Sequence, residues 1–157
     1  MKQIEIVTSI KIVSYTELSD IDRRLVDEAR VATLRSYAPY SKFSVGAAIA
    51  LDNNEIITGS NQENVAFPSG TCAERTACFY AHSKFPEAKF QAIAIAAHTI
   101  DGSEVTTPIS PCGSCRQALL EYEMLAGKDV RVILVGANDI FIVPSIKSLL
   151  PLAFSEI

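Results

Sequence analysis

Two short segments restrict this chain more than anything else in it: Thr71-Cys72-Ala73-Glu74-Arg75-Thr76-Ala77 and, well downstream, Pro111-Cys112-Gly113-Ser114-Cys115-Arg116-Gln117. Each reads as the start of a helix, and together they carry three cysteines and a carboxylate. Positions three apart are neighbours on a helix surface, so Cys112 and Cys115 bring two sulfurs close together, with Pro111 as the lead-in to the helix. Helix N-termini carry partial positive charge and lower a thiol pKa, which favours the thiolate form that binds metal. With Cys72 as third ligand, the set holds a zinc ion and leaves one tetrahedral position open, as a hydrolytic site needs. The fold must therefore bring two helix starts together.

Glu74 stands two residues beyond Cys72, a spacing that points side chains apart within a regular helix. The two converge only if Cys72 lies at the very start, where the dihedrals are not yet regular, and Gly70-Thr71 permits this. Glu74 then acts as a proton shuttle beside the metal rather than as a ligand. Three thiolates on one Zn²⁺ leave the site net negative, which weakens it as a Lewis acid. A nearby guanidinium restores the balance, Arg75 being the first candidate and Arg116 the other.

Taken singly, each part has a plainer explanation. A Cys-x-x-Cys also serves redox and structural-zinc sites, a lone Cys72 packs in a core, and Glu74-Arg75 is an ordinary solvated first turn. A structural-zinc or redox-sensing domain is thus the non-enzymatic alternative; it wants a fourth protein ligand or a Cys112–Cys115 disulfide. The spare thiol, Cys78, reads as core packing, and His82 and His98 as a helix-surface and a strand-end residue.

Around these segments the periodicity supplies a scaffold. Residues 3–15 alternate loosely, with Ile4, Ile6, Ile10 and Ile12 on one face, and predict a strand in an N-terminal arm over residues 1–18. Ser19-Asp20 offers an N-cap for a helix of about four turns whose apolar side is Ile21, Leu25, Ala29 and Ala32, with Asp22, Arg23, Arg30 and Arg35 facing water. Residues 45–51 are nearly all apolar, a strand covered on both faces, and Asp52-Asn53-Asn54 turns it into a hairpin with residues 55–59. A helix over 71–83, a strand over 92–97, a helix over 112–124, strands over 130–135 and 140–143 and a final short helix over 145–150 follow. The alternation predicts a three-layer α/β/α sandwich on a mixed sheet of about five strands, in one domain spanning residues 1–157.

Composition removes several function classes. Apolar residues make up 48% and charged residues 20%, a globular balance, and 14 basic against 18 acidic side chains give a net charge of -4 with no Lys/Arg cluster for nucleic acid. No stretch reads as a signal peptide or approaches a membrane span, so the chain reads as cytoplasmic, where four cysteines suggest metal or catalysis before disulfides.

The two cysteine segments, together with Ala38-Pro39-Tyr40-Ser41-Lys42-Phe43, Gly59-Ser60-Asn61-Gln62-Glu63-Asn64 and Leu149-Leu150-Pro151-Leu152-Ala153-Phe154, resemble the cytidine deaminase family in its small form with three cysteine ligands. The likeness runs over residues 38–154. It implies Cys72, Cys112 and Cys115 as zinc ligands and Glu74 as general acid and base, moving a proton from the attacking water to N3 of cytosine while hydroxide adds at C4 and ammonia leaves. The implied activity is hydrolytic deamination of cytidine and 2′-deoxycytidine in pyrimidine salvage, with a free nucleoside as the partner molecule, no nucleic acid and no membrane. A related nucleoside such as blasticidin S is the nearer alternative.

The same resemblance implies that Asn61 and Glu63 bind the ribose, that Phe43 packs on the pyrimidine, that the Ala73 backbone meets the base carbonyl, and that Phe154 reaches a neighbouring active site in a homotetramer. Read alone, Asn61 and Glu63 are a polar turn, Phe43 a core residue at a loop end and Phe154 a local packing plug. Phe67 stands where relatives usually carry tyrosine.

Overall fold

The computed structural model describes residues 1–155; residues 156 and 157, the end of the predicted domain, lie outside the described residues. The elements follow in the order β1 (Lys11–Val13), α1 (Asp20–Thr33), β2 (Ser44–Leu51), β3 (Ile56–Ser60), α2 (Ala73–Lys84), β4 (Phe90–His98), α3 (Gly113–Ala126), β5 (Arg131–Val135) and β6 (Ile140–Val143), with single 3₁₀ turns at Tyr15–Glu17, Phe67–Ser69 and Lys147–Leu149. They build one six-stranded sheet in the order β1-β6-β5-β4-β2-β3. Its β4 and β5 are parallel, joined by the α3 crossover that parallel neighbours need, and every other pair is antiparallel.

The sheet has six strands rather than about five because β1 pairs with β6, Lys11 opposite Ile142 and Val13 opposite Ile140. β1 is also far shorter than the predicted strand over 3–15. Extending the register would set Ser9 against Pro144, which has no N–H to give to a ladder. The predicted final helix shrinks to the turn Lys147–Leu149, since Pro151 holds Leu150 extended (φ −129°, ψ 90°).

Three layers arise from strand alternation. On one face Ala48, Ala50, Ala92, Ala94 and Ala96 meet Leu25, Val26 and Ala29 of α1; on the other, Ala47, Ile49, Ile93 and Ile95 pack under α2 and α3. The alanine face lets α1 approach so closely that a Cβ on Gly46 would lie 2.1 Å from the Ala29 carbonyl oxygen. Ser19 caps α1 as expected, accepting from the Asp22 N–H at 3.3 Å, but Ile21 is exposed and Val26 takes its place in the core. Arg30 does not simply face water: its guanidinium forks onto Glu104 at 2.8 and 3.0 Å, tying α1 to the segment after β4.

Strand direction decides where the two helices of the second layer begin. β3 and β4 each run antiparallel to β2, so they run alike, and α2 and α3, which follow them, both start at the same end of the sheet and on the same face. A buried carboxylate holds the far end of α3: Glu123 accepts from the backbone N–H groups of Val130, Ile146 and Lys147 at 3.0, 2.7 and 3.1 Å. α2 is seated on β3 through Gly59, where an added Cβ would meet the Ala77 nitrogen at 2.5 Å and the Ala73 oxygen at 2.7 Å. Gly59→Ala is therefore expected to push the first turns of α2 off the sheet and to lower unfolding free energy by about 1–3 kcal/mol. Urea denaturation checks this; a midpoint within error of the parent would contradict the close seating.

Candidate metal centre and active site

Cys72 and Cys112 are each the residue just before a helix, with extended backbones (φ −69°, ψ 155° and φ −65°, ψ 164°) and carbonyls that accept the first helical bonds from Thr76 and Arg116. Cys115 is buried in the first turn of α3. The three sulfurs lie within 4.8 Å of one another, and Cys72 Sγ is 3.9 Å from Cys112 Sγ. Zinc–sulfur bonds of about 2.3 Å at tetrahedral angles require sulfurs about 3.8 Å apart. The thiols fit the ion in both chemistry and spacing. No carboxylate or imidazole joins the group among the described residues, so one tetrahedral position is left to water or substrate.

Hydrogen bonding and the Arg75 charge favour thiolate at Cys72. A hydrogen bond from Cys115, followed by Arg75 and Cys112, brings the Cys72 pKa down to about 5; the Cys115 thiol, which donates that bond from a buried position, is pushed up in return. Arg75 is the cation that faces the cluster, with Nη2 3.8 Å from Cys72 Sγ, while its buried Nε has no partner among the described residues. Arg116, the other candidate, is committed elsewhere: Nε, Nη1 and Nη2 donate to the Pro111 carbonyl, the Leu149 carbonyl and Ser110 Oγ at 2.8, 2.9 and 2.9 Å. It braces the loop that carries Cys112.

Glu74 is the second residue of α2 and only 4% exposed. Its carboxyl is raised above the ordinary carboxylate range by burial first, with the charge on Cys72 adding to it and its bond to Cys115 opposing. Cys72 has the extended backbone at the helix start on which convergence of the two side chains depends. Cys78, by contrast, is fully buried and raised to about 12 by that burial, a core thiol. His98 is turned to Thr33, with Nδ1 and the hydroxyl 3.0 Å apart, and His82 lies beside the Tyr122 ring; neither approaches the sulfurs as a ligand.

Two of the nucleoside-binding candidates, Asn61 and Glu63, lie on the loop between β3 and α2. Gln62 pairs with Thr71 through bonds of 2.8 and 2.9 Å in both directions, while Tyr37 accepts from Glu63 and donates to Asn61, so Asn61 and Glu63 sit beside the approach to Cys72. Asn61 Oδ1 accepts from the Val45 N–H at 2.8 Å and from Ser36 Oγ, and its Nδ2 donates to the Phe43 carbonyl at 2.9 Å. Glu63 accepts from the N–H groups of Tyr40 and Ser41 at 2.8 and 3.3 Å, bonds that hold its carboxyl below the usual range together with the Ser41 hydroxyl. The pair thereby anchors the loop that ends in half-buried Phe43. Ala73 is buried as the first residue of α2, where a backbone N–H has no acceptor inside the helix.

Phe154 is no local packing plug, being 70% exposed. Gln117, two residues past Cys115, grips its backbone from both sides, donating to the carbonyl at 2.7 Å and accepting from the N–H at 3.4 Å. Nothing in the residues around Gln117 marks it for this role, because its partner lies 37 positions away along the chain. Phe67 is exposed against the Tyr40 ring, and with Glu63 and Asn64 the two aromatics line a pocket of about 180 Å³ next to the Asn61–Glu63 loop.

A sequence profile described as the zinc-binding region of cytidine and deoxycytidylate deaminases matches residues 19–133. Cytidine deaminases of Sporosarcina psychrophila and Halalkalibacterium halodurans are 38% and 37% identical to this chain, over 85% and 86% of it and 90% and 96% of their own lengths. Among solved structures, the cytidine deaminase of Burkholderia pseudomallei superposes with a TM-score of 0.71 at 34% identity, covering 87% of this chain and 100% of that one. The Mycobacterium tuberculosis cytidine deaminase gives 0.66 at 32% identity, over 88% and 99%. With three thiols spaced for zinc at two helix starts and a profile match over most of its length, this chain belongs to the cytidine deaminase family.

Proposed function

We propose that the protein is a zinc-dependent hydrolase that deaminates cytidine and 2′-deoxycytidine to uridine and 2′-deoxyuridine, releasing ammonia. The observation that carries this reading is the three-sulfur group with one coordination position left over and the buried Glu74 carboxyl at the same helix start. A zinc ion held by Cys72, Cys112 and Cys115 supplies a Lewis acid that makes water nucleophilic near neutral pH. Glu74 takes a proton from the attacking water and delivers it to N3 as oxygen adds to C4. It then carries the second proton to the exocyclic nitrogen, C4–N4 breaks, C4=O forms and ammonia leaves. Arg75, beside Cys72, offsets the negative charge of the thiolates.

Phe43 packs on the pyrimidine, Ala73 N–H meets the base carbonyl and the Asn61–Glu63 pair takes a sugar hydroxyl. Phe154 completes the pocket of a neighbouring subunit in a homotetramer. Support for assembly comes from Phe79, Tyr80, Met124 and Leu125, apolar side chains left exposed on the outer sides of α2 and α3. The chain is read as one deaminase domain over residues 1–157, in which residues 1–18 are an N-terminal arm. The cytoplasm is the reading for its location, because the cysteines are all free and a thiolate site persists where thiols stay reduced; no described helix is long and apolar enough to cross a membrane.

Glu74→Gln is expected to retain one zinc per chain while turnover of cytidine falls by about 10²–10⁴, read as loss of absorbance in the cytosine band alongside metal analysis. Near-parental turnover in that variant would remove Glu74 from the mechanism. Cytidine and 2′-deoxycytidine are expected to be used with similar kcat/KM, since the loop pair is assigned to the hydroxyl both share; a large preference for either contradicts that assignment. Phe154→Ala is expected to raise KM for cytidine, and dilution to a monomer to abolish activity. Full specific activity in a demonstrated monomer would overturn the shared pocket.

A further inference from the structure

Residues 4–12 of the N-terminal arm read Ile-Glu-Ile-Val-Thr-Ser-Ile-Lys-Ile, and they are nearly symmetric about Thr8. Reversing the direction of the segment puts Ile4 onto Ile12 and Ile6 onto Ile10, while Glu5 falls on Lys11 with opposite charge. Hydrophobic identity and charge complement about one point are what two copies of a strand need to pair antiparallel around a twofold axis.

The structure leaves this segment free to do so. β1 uses one edge on β6, and as the outermost strand of the sheet its other edge carries N–H and C=O groups without a ladder partner. Residues 4–10 continue beyond β1 outside any regular element, held among the described residues by one side-chain bond from Thr8 Oγ1 to the Ser148 carbonyl at 2.9 Å. Ile4, Ile6, Ile10 and Ile12 are 87, 53, 45 and 63% exposed, an apolar stripe that nothing in the chain covers among the described residues. A lone Lys11 would merely blunt the edge against wrong partners, a common protective device. Glu5 changes its meaning, because a second copy presents a carboxylate opposite each lysine.

We propose that the arm is an interaction surface for a second copy of this chain: two arms pair antiparallel about Thr8, fusing two six-stranded sheets edge to edge. Register is what selects this occupant. Sliding the pair by two residues sets Thr8 against Ile6 or Ile10 and separates both Glu5–Lys11 pairs, and a slip by one residue also separates those pairs, setting Glu5 against Ile10 or Ile12 and Lys11 against Ile4 or Ile6. The segment precedes residues 19–133, which match the family profile, so the contact is a feature of this chain's own arm and does not depend on the catalytic reading.

Cysteine bridging in the full chain tests the register directly. Thr8 lies on the proposed axis, so the Thr8→Cys chain is expected to form covalent dimer on mild oxidation, with peptide mapping placing the bridge at position 8. Gln3 would lie about 33 Å from its own copy, and the Gln3→Cys chain is expected to give about tenfold less dimer. Glu5→Cys and Lys11→Cys, each unable to bridge with itself in this register, are expected to bridge when the two are mixed, a pair that keeps the Thr8 bond to Ser148 intact. Adding Glu5→Lys to the Thr8→Cys chain should lower the dimer yield and adding Lys11→Glu as well should restore it. Equal bridging by Gln3→Cys and Thr8→Cys, or none by either Thr8→Cys or the mixed pair, overturns the proposal. Cytidine turnover, measured in parallel on the unbridged chains, is expected to be unchanged, which separates this contact from the deaminase reading.

Discussion

Two helices aimed at each other with their N-termini are the constraint on which the rest depends. Each such end carries roughly half a positive charge, so α2 and α3 repel at close range unless negative charge stands between them. Cys72, Cys112 and Cys115 occupy that gap. Three thiolates with a divalent ion leave a net negative charge that the two helix ends and the Arg75 guanidinium together offset. The metal group, the helix ends and the arginine are thus one electrostatic unit. Removing any member leaves the others unbalanced, which is why the fold and the site cannot be separated here.

That unit tolerates little slack, and small residues set its spacing. The Cα of Gly59 lets α2 lie against β3, and Gly46 does the same for α1 against β2. Alanines along β2 and β4 thin the layer on the α1 side, while isoleucines on the opposite face fill the thicker space beneath α2 and α3. Behind the metal, Arg116 and Glu123 take backbone groups from the chain before and after α3, fixing that helix at both ends. These side chains act on the backbone, so their effect is on where Cys112 and Cys115 stand rather than on the reaction.

The cysteine spacing, the Ser19 cap, the Asp52-Asn53-Asn54 hairpin and the two-faced apolar strands were all legible in the sequence, because each is governed by neighbours along the chain. What escaped it is governed by partners far away. Glu123 looks like any helical glutamate until Val130 and Ile146 turn their N–H groups toward it. Arg75 is the first candidate by position and Arg116 the other, and the direction of each guanidinium is what decides between them. The strand in the arm was legible, but its short length and its pairing with β6 were not, because they depend on where β6 ends and on Pro144 after it, which no periodicity within the arm reveals.

Asn61 illustrates how scaffold bonds fix which polar groups a side chain has left to offer. Its amide cannot be reversed, since the Val45 N–H needs an acceptor on one side and the Phe43 carbonyl needs a donor on the other. With Oδ1 already taking two donors, one Nδ2 hydrogen is what Asn61 has left to offer. Glu63, ionised and holding two backbone N–H groups, has only acceptor capacity to spare. A group satisfying both at once must accept from the amide and donate to the carboxylate, which a hydroxyl does and an ether oxygen does not. The bonds that stiffen the Phe43 loop therefore leave one amide donor and a carboxylate acceptor beside it, the two groups that the proposed sugar hydroxyl would need.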